Sequence, residues 1–311
     1  MWSILAQVFG NPELYASTLA MATPLALAAL GGTFSERTGV VNIAMEGIML
    51  IGAFFGVLVA VSTHSAFLGL FAGMLAGIIT SLALAWPAIR LQSDQVIIGM
   101  AINVFAAGLT AFLLNTIFGF NGTPTSTPFL PTITIPGIVK IPFIGQIIGQ
   151  QNLLVYLMII LVIVAHYILF HTNIGLVMRA VGEHPEAAAT VGVSVVKIRY
   201  LGVSIGGMLS GMAGVYLSLG LLNGFDVNMT DGRGYIALAA MIFGKWTPFG
   251  SLGASLLFGF ALALSIALQG YQVSANIVGM LPYVLTIVAL TGIIGRSRAP
   301  LADGIPYEPS K

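Results

Sequence analysis

Long apolar stretches alternate with short polar clusters along the chain of 311 residues. A helix that crosses the hydrocarbon core of a bilayer needs about 20 mostly apolar residues, and most of the stretches approach that length. The pattern predicts about nine transmembrane helices, over residues 14–32, 40–61, 66–88, 96–118, 153–170, 201–222, 235–243, 251–268 and 275–295. The seventh is short for a bilayer, so we expect it to be broken or tilted within the bundle. The predicted fold class is an all-α polytopic membrane protein with a single transmembrane domain, residues 1–311.

The composition supports a membrane protein and narrows the chemistry. Hydrophobic residues make up 58% of the chain and the mean hydropathy is +1.01, which leaves too little polar surface for a soluble protein of this size. The absence of cysteine excludes disulfides, thiolate metal sites and cysteine nucleophiles. A formal charge of +1 gives no indication of nucleic acid, and we expect no nucleic-acid partner. Residues 1–10 have no basic region, so no cleaved signal peptide is expected.

Two regions are rich in small residues. Residues 119–151 form the longest break between spans, and their apolar parts are too short and too often interrupted by Pro to cross a bilayer. We expect an ordered cap or a shallow re-entrant segment there. The sixth span is dense with glycines, among them Gly202, Gly206, Gly207, Gly211 and Gly214. They favour the close approach of another helix rather than chemistry.

The only long charged segment between spans is RAVGEHPEAAATVGVSVVKIR, residues 179–199. Its titratable residues are Arg179, Glu183, His184, Glu186, Lys197 and Arg199. Such a segment is expected outside the lipid, in a loop over residues 173–199 at the membrane surface. Within this loop the sequence predicts a two-turn helix, residues 185–191.

Local signals define the ends of this short helix. Glu183 or His184 is placed to cap its amino terminus, and Pro185 fits the first turn, where a missing N–H costs nothing. Glu186 faces the positive end of the helix dipole, and Gly192 suits the position just past the carboxyl end. These signals predict a helix, but a plain solvated connection between two spans stays open as the alternative.

The distribution of basic residues predicts the orientation of the chain. If the 173–199 loop is cytoplasmic, nine of the eleven Lys and Arg residues lie inside, and only Lys140 and Arg233 lie outside. The nine are Arg37, Arg90, Arg179, Lys197, Arg199, Lys245, Arg296, Arg298 and Lys311. The positive-inside rule therefore favours an amino terminus outside, an extracytoplasmic 119–151 loop and a cytoplasmic tail over residues 296–311.

Part of the short helix resembles a known functional motif. The sequence Glu186-Ala187-Ala188, followed after three residues by Gly192, resembles the EAA loop of ATP-binding-cassette (ABC) importer permeases. In that family the loop forms a coupling helix that is seated in a groove of the ATPase. The resemblance implies that the ATPase-coupling residues are Glu183, His184, Pro185, Glu186, Ala187, Ala188 and Gly192.

Three stretches resemble the bacterial nucleoside-uptake permeases within the ribose and branched-chain amino acid permease family. They are SERTGVVNI at residues 35–43 with its continuation to residue 53, RAVGEHP at 179–185, and AAMIFGKW at 239–246 with Pro248 and Gly250. Sugar permeases of this family resemble a ten-helix design, and the present chain is expected to begin at their second helix. That expectation agrees with the nine spans counted from hydropathy.

The resemblance implies a function and a set of partners. The expected function is that of the permease subunit of an ABC importer that takes up nucleosides. ATP is hydrolysed on a separate subunit, so the chain itself is not expected to be an enzyme or to need a cofactor. The expected partners are a cytoplasmic ABC ATPase, a different second permease subunit, an extracytoplasmic substrate-binding lipoprotein and the lipid of the bacterial cytoplasmic membrane.

Polar side chains inside the predicted spans are the candidates for substrate contact. Glu46 is the least expected, because a charge near mid-helix costs about 2.5–3.5 kcal/mol on insertion scales and should face a partner in the bundle interior. With Asn42, Asn103 and Asn115, it could line a pathway and offer hydrogen bonds to a ribose or base. Alternatively, Glu46 braces its helix against a neighbouring backbone or Arg37, and the Asn residues make interhelical hydrogen bonds.

Other functions stay open on the sequence. A simple sugar such as ribose needs the same neutral, hydrogen-bonding path as a purine or pyrimidine nucleoside. A secondary transporter or channel would use Glu46 as a proton or cation site and work without ATP. An intramembrane enzyme is not supported, because the sequence has no Walker A loop and no HExxH motif. No metal site is expected, since His166 and His171 are spaced too loosely for one.

Overall fold

The computed structural model describes residues 7–119, 122–123, 127–269, 280 and 298–308 of the chain. In chain order the described elements are α1 (Pro12–Glu36), α2 (Met45–Thr63), α3 (Ala66–Arg90), α4 (Gln95–Phe118), β1 (Thr132–Thr134), α5 (Ile144–Ile148), β2 (Gln150–Asn152), α6 (Leu153–His171), α7 (Asn173–Glu183), α8 (Pro185–Thr190), α9 (Val195–Val215, continued by a π-helical turn, Tyr216–Leu221), α10 (Arg233–Phe243) and α11 (Pro248–Gln269). Seven of these helices, α1 to α4, α6, α9 and α11, are long and apolar enough to cross a membrane. The chain is therefore a multi-pass α-helical membrane protein, as the hydropathy pattern predicts.

The number of spans and their orientation stay predictions. The predicted ninth span, residues 275–295, lies outside the described residues. The predicted seventh span corresponds to α10, which has eleven residues and is too short to cross a bilayer alone.

The second span begins later than the hydropathy pattern predicts. The apolar run starts at residue 40, but α2 begins at Met45. The residues before it form a turn in which Gly39 has a φ of 84°, a left-handed conformation that favours glycine. An apolar run does not distinguish a helix from buried non-helical backbone. As a result Asn42 precedes the helix and Glu46 lies in its first turn, so the predicted mid-helix position of Glu46 is wrong.

The sixth span begins earlier than predicted. Helix α9 starts at Val195 and not at residue 201, so Lys197 and Arg199 lie on the helix. The assignment of Arg199 to a surface loop is wrong, because its side chain is only 1% exposed and Nη1 donates to the carbonyl oxygen of Ile305 at 3.0 Å. A charged side chain can be buried where the fold supplies partners, and the sequence pattern does not show those partners. The same loop also contains α7, a helix that the sequence did not predict.

The centre of the bundle packs through glycines. A Cβ atom placed on Gly52 of α2 would lie 2.7 Å from both the Cα atom and the carbonyl oxygen of Gly211 on α9. A Cβ atom on Gly31 of α1 would lie 2.6 Å from the carbonyl oxygen of Gly206 on the same helix α9. Backbones approach this closely only where neither helix carries a side chain. The predicted packing role of these α9 glycines is confirmed.

We expect Gly52→Ala to destabilise the bundle, because the added methyl group has no room unless α9 moves. Overpacking of this kind costs about 1–3 kcal/mol, so the melting temperature in detergent should fall. Gly108→Ala in α4 is the matched control, since a Cβ atom there meets nothing within 4 Å from other parts of the described chain. Equal melting temperatures for the two variants would contradict this packing.

Helix α10 is a half-length helix that packs against α1, α2 and α11. Its eleven residues span about 16 Å, roughly half of the hydrocarbon core. The segment that leads to it packs against α2, where the ring centroids of Phe225 and Phe54 lie 5.2 Å apart in an edge-on arrangement. The expectation that the seventh span is short is confirmed.

The long break between α4 and α6 is ordered where the structure describes it. Strands β1 and β2 pair antiparallel, with Ile133 opposite Gln151, and α5 lies between them in the chain. The Asn152 side-chain amide donates to the carbonyl oxygen of Leu130 at 3.0 Å, and the Leu130 N–H donates to the carbonyl oxygen of Leu219 at 2.8 Å. These contacts attach the loop to the end of the helical region that continues α9.

Candidate functional site

The Glu46 carboxylate lies at the start of the half-length helix α10. Its Oε1 accepts the N–H of Gly232 at 2.9 Å, and its Oε2 accepts the N–H of Gly234 at 2.6 Å. The first N–H groups of a helix have no partner within the helix, and negative charge is favoured at that end. Glu46 on α2 therefore caps α10. This is the bracing against a neighbouring backbone that the sequence left open as an alternative.

Asn103 joins the starts of α2 and α10. Its Oδ1 accepts the N–H of Gly47 at 2.8 Å, and its Nδ2 donates to the carbonyl oxygen of Ile43 at 2.9 Å. The same Nδ2 donates to the hydroxyl of Tyr235 on α10 at 3.0 Å. The structure thus brings together two of the four predicted pathway residues, Asn103 and Glu46, where α2 and α10 begin.

The other two predicted pathway residues have different surroundings. Asn42 is fully buried in the turn before α2, and neither polar atom of its side chain has a hydrogen-bond partner among the described residues. A buried amide without partners costs free energy, so this side chain has hydrogen-bonding capacity left for a ligand or a water molecule. Asn115 is exposed on α4, about 18 Å along the helix from Asn103. The structure does not bring Asn115 together with Asn103 and Glu46.

The predicted short helix is present as α8 and ends one residue earlier than predicted. Pro185 and Glu186 lie in its first turn, and Gly192 has the expected positive φ, 84°, just past its end. The predicted side-chain cap is wrong. His184 occupies the cap position without a side-chain hydrogen bond to the helix, and Glu183 is the last residue of α7.

One face of α8 packs on the bundle and the other is exposed. Ala188 is buried and packs in a cluster with Val181 of α7 and Val195 of α9. Ala187 is exposed, and Val191, directly after the helix, is 77% exposed. A small helix that is held on one side and partly apolar on the other can be seated in a groove of another protein.

A buried polar cluster lies where α1 meets residues 298–308, which we call the C-terminal segment. The Trp246 indole Nε1 donates to Glu36 Oε2 at 2.6 Å. The carboxyl groups of Glu36 and Asp303 share a hydrogen bond. Glu36 and Trp246 lie in stretches that resemble nucleoside permeases, but no local pattern links an acid at the end of a span to Asp303 far away in the tail.

Asp303 is a carboxyl group whose surroundings in the fold favour its protonated form. Burial, together with the neighbouring Glu36 carboxyl, raises the pKa of Asp303 from 3.8 to about 9, and the Arg199 guanidinium partly opposes this shift. A proton held between the two carboxyl groups therefore supplies the donor for the hydrogen bond that they share. This bond fixes the C-terminal segment to α1.

We expect the docking of the C-terminal segment to weaken as the pH rises. The pKa of Asp303 is higher when the segment is docked than when it is free, so docking is most favourable below pH 3.8. The free energy of docking then becomes less favourable as the pH rises to about 9, by at most about 1.4 kcal/mol per pH unit. Between about pH 6 and pH 9, the melting temperature should fall more steeply for the wild type than for Asp303→Asn. Glu36, Arg199 and Tyr307, the titratable and charged groups nearby, are the same in both proteins. Parallel profiles would contradict the prediction.

A bundle of span-length helices with a half-length helix packed against it is an arrangement found in membrane transporters. The sequence model of one permease family, described as the permease component of the branched-chain amino acid transport system, matches residues 14–290. The chain belongs to this family, and the resemblance found in the sequence is confirmed.

Named relatives match along most of the chain. The guanosine ABC transporter permease protein NupQ of Bacillus subtilis (strain 168) is 47% identical over 94% of this chain and 95% of its own length. The nucleoside ABC transporter permease protein NupC of Lactococcus lactis subsp. cremoris (strain MG1363) is 38% identical over 96% of this chain and 97% of its own length. TsgC13 of Haloferax volcanii, whose name is putative glucose ABC transporter permease protein, is 38% identical over 84% of this chain and 79% of its own length.

The same two bacteria each provide a second, more distant match. These are the guanosine ABC transporter permease protein NupP of B. subtilis, at 25% identity, and the nucleoside ABC transporter permease protein NupB of L. lactis, at 24%. No solved structure is a significant match to the chain.

Proposed function

We propose that the chain is the transmembrane permease subunit of an ABC importer that takes up nucleosides. The observation that carries the proposal is the similarity to two named nucleoside permeases along nearly their full lengths. The exposed face of α8 supports it, because a permease without its own ATP-binding loop needs a surface on which an ATPase can act. ATP is then hydrolysed on a separate subunit, and this chain performs no catalytic step.

The proposal assigns partners to particular surfaces. A cytoplasmic ABC ATPase seats on α8 and contacts the exposed members of the predicted set, His184, Glu186, Ala187 and Gly192, while the buried Ala188 faces the bundle. A different second permease subunit packs beside this chain, which is supported by the two permeases found in each of two bacteria. Val104 and Phe112 of α4, 75% and 64% exposed, give this subunit or membrane lipid an apolar surface. An extracytoplasmic lipoprotein delivers substrate at the 119–151 loop, and the complex lies in the bacterial cytoplasmic membrane.

We place the substrate pathway near Asn42, Glu46 and Asn103, with Asn115 further along α4. A neutral nucleoside needs hydrogen-bond donors and acceptors but no counter-charge. Asn42 offers both from an amide that lacks a partner in the described chain. Glu46 is partly exposed, and each of its carboxylate oxygens can accept a further hydrogen bond.

The mechanism follows from how α8 is held. When two ATPase domains close on ATP, they push on α8, whose inner face packs against α7 and α9 through Ala188. The push rocks the bundle between outward-open and inward-open forms, and the close glycine contacts between α2 and α9 make these helices move as rigid bodies.

The first experiment is uptake of radiolabelled guanosine, uridine and ribose in cells that carry or lack the gene, with and without ATP depletion. Loss of nucleoside uptake in the deletion strain, dependent on ATP, is the expected result. Uptake that persists under ATP depletion and is abolished by a protonophore would indicate a secondary transporter and overturn the proposal.

A simple sugar is the second candidate substrate, favoured by the similarity to TsgC13. In the same experiment, loss of ribose uptake alone would support this candidate. The importer mechanism would then stand and the substrate assignment would change.

A further inference from the structure

We propose that the C-terminal segment is a positioning strap that fixes α7 and α8 to α1 and α9, so that movement of α8 is transmitted into the bundle. The proposal rests on the proposed function, in which an ATPase acts on α8. It assigns a role to a part of the chain outside the coupling helix and outside the substrate pathway.

The segment is bonded to the end of α7, directly before α8. The Ala302 N–H donates to the carbonyl oxygen of Gly182 at 2.9 Å, and the Leu301 N–H donates to Glu183 Oε2 at 3.2 Å. The other carboxylate oxygen of Glu183 lies 4.0 Å from Nη1 of Arg37, which directly follows α1. Hydrogen bonds from two main-chain N–H groups of the segment therefore hold the residues directly before α8.

The same segment is bonded to the transmembrane bundle. Its Asp303 carboxyl shares a hydrogen bond with Glu36 at the end of α1, and its Ile305 carbonyl oxygen accepts from the buried Arg199 of α9. A Cβ atom on Gly39 would lie 3.1 Å from the carbonyl oxygen of Ala302, so the segment passes close to the turn after α1. The segment thus connects α7 with two central helices of the bundle.

The segment also contacts α8 itself, on its inner side. The Tyr307 side chain packs against the cluster of Val181, Ala188 and Val195 that holds α8 to the bundle. Ala187 and Val191 stay exposed. Because Ala187 and Val191 remain exposed among the described residues, the segment braces the helix and leaves these two side chains accessible to a protein that seats on α8.

The first test measures how firmly α8 is held. In the purified full-length chain in lipid nanodiscs, Asp303→Ala is expected to raise amide hydrogen exchange over residues 186–190 by at least about tenfold. Asp303→Asn keeps a donor for Glu36 and should exchange like the wild type. Glu308→Gln, an exposed side chain of the same segment, is the matched control. Unchanged exchange in Asp303→Ala overturns the proposal.

A second variant covers the case in which Asp303→Ala does not fold. Tyr307→Ala removes the packing on α8 and leaves the bond between Asp303 and Glu36 in place. It should also raise exchange over residues 186–190, while exchange in the core of α2 stays unchanged. Equal exchange in this variant and the wild type would overturn the strap.

The second test measures transmission in the assembled importer. Asp303→Ala and Tyr307→Ala should lower nucleoside uptake per ATP hydrolysed by at least about tenfold, while the membrane level and the binding of the ATPase stay unchanged. Loss of ATPase binding would make the segment a docking surface and overturn the strap. If wild-type uptake does not depend on ATP, the proposed function fails, and the exchange measurement still decides whether the segment holds α8.

Discussion

Replacing Val191 with Asp is expected to lower ATP-driven nucleoside uptake at least tenfold without changing the amount of permease in the membrane. Val191 is 77% exposed in the chain, so the substitution disturbs no internal packing. If an ATPase seats on α8, the side chain becomes buried, which is worth about 1.5–3 kcal/mol for Val, and an unpaired Asp costs more. A loss of about 1.4 kcal/mol is tenfold in affinity, so the effect should be large.

The measurement is guanosine uptake at matched membrane levels, together with co-purification of the ATPase. Val191→Ile keeps an apolar side chain of similar shape and is the matched control. Gly192→Val should have the same effect as Val191→Asp, because a β-branched residue is strained at a φ of 84°. Normal coupled transport by Val191→Asp and Gly192→Val would count against a coupling role for α8.

Replacing Glu46 with Ala is expected to destabilise the protein strongly, because two backbone N–H groups at the start of α10 lose their acceptor. Each unsatisfied group costs about 1–3 kcal/mol, so the free energy of unfolding should fall by about 2–6 kcal/mol. Glu46→Gln retains one acceptor oxygen and should be intermediate. The melting temperature in detergent and the amount of inserted protein report the effect.

Glu13→Ala is the control for Glu46, because Glu13 also lies in a first helical turn but is exposed. Its effect should stay within about 0.5 kcal/mol. Wild-type stability in both Glu46 variants would contradict the capping role. The KM for guanosine in Glu46→Gln, measured at matched membrane levels, separately decides whether this carboxylate also contacts the substrate.

The spans that sequence reasoning placed well are those in which an apolar run and a helix coincide. Helices α3, α4 and α6 each begin within one residue of the predicted start, because a polar cap residue precedes an uninterrupted apolar stretch. The start of α2 was misplaced by five residues, since buried non-helical backbone has the same apolar composition as a helix. The predicted start of α9 was too late, because the charges of Lys197 and Arg199 indicated a solvent-exposed loop rather than a helix.

The candidate site also has a part that local sequence signals predict and a part that only the fold shows. The predicted coupling residues lie close together in the chain, so a local motif and the Pro185 and Gly192 signals were sufficient to find α8. Glu46 and Asn103 were found because polar groups are rare in apolar spans, but their partners were not. Gly232 and Gly234 carry no side chain, and only the fold shows that their N–H groups face Glu46.

By itself, the sequence determined the membrane class, most of the long helices, the short helix α8 and the family. These depend on composition and on spacings of a few residues, which local physics controls. The tertiary structure alone decided that Glu46 caps a half-length helix, that Arg199 is buried, and that the carboxyl groups of Asp303 and Glu36 meet and share a hydrogen bond. Such properties depend on which groups meet across long separations in the chain, and burial then determines the strength of hydrogen bonds and the charge of each acid.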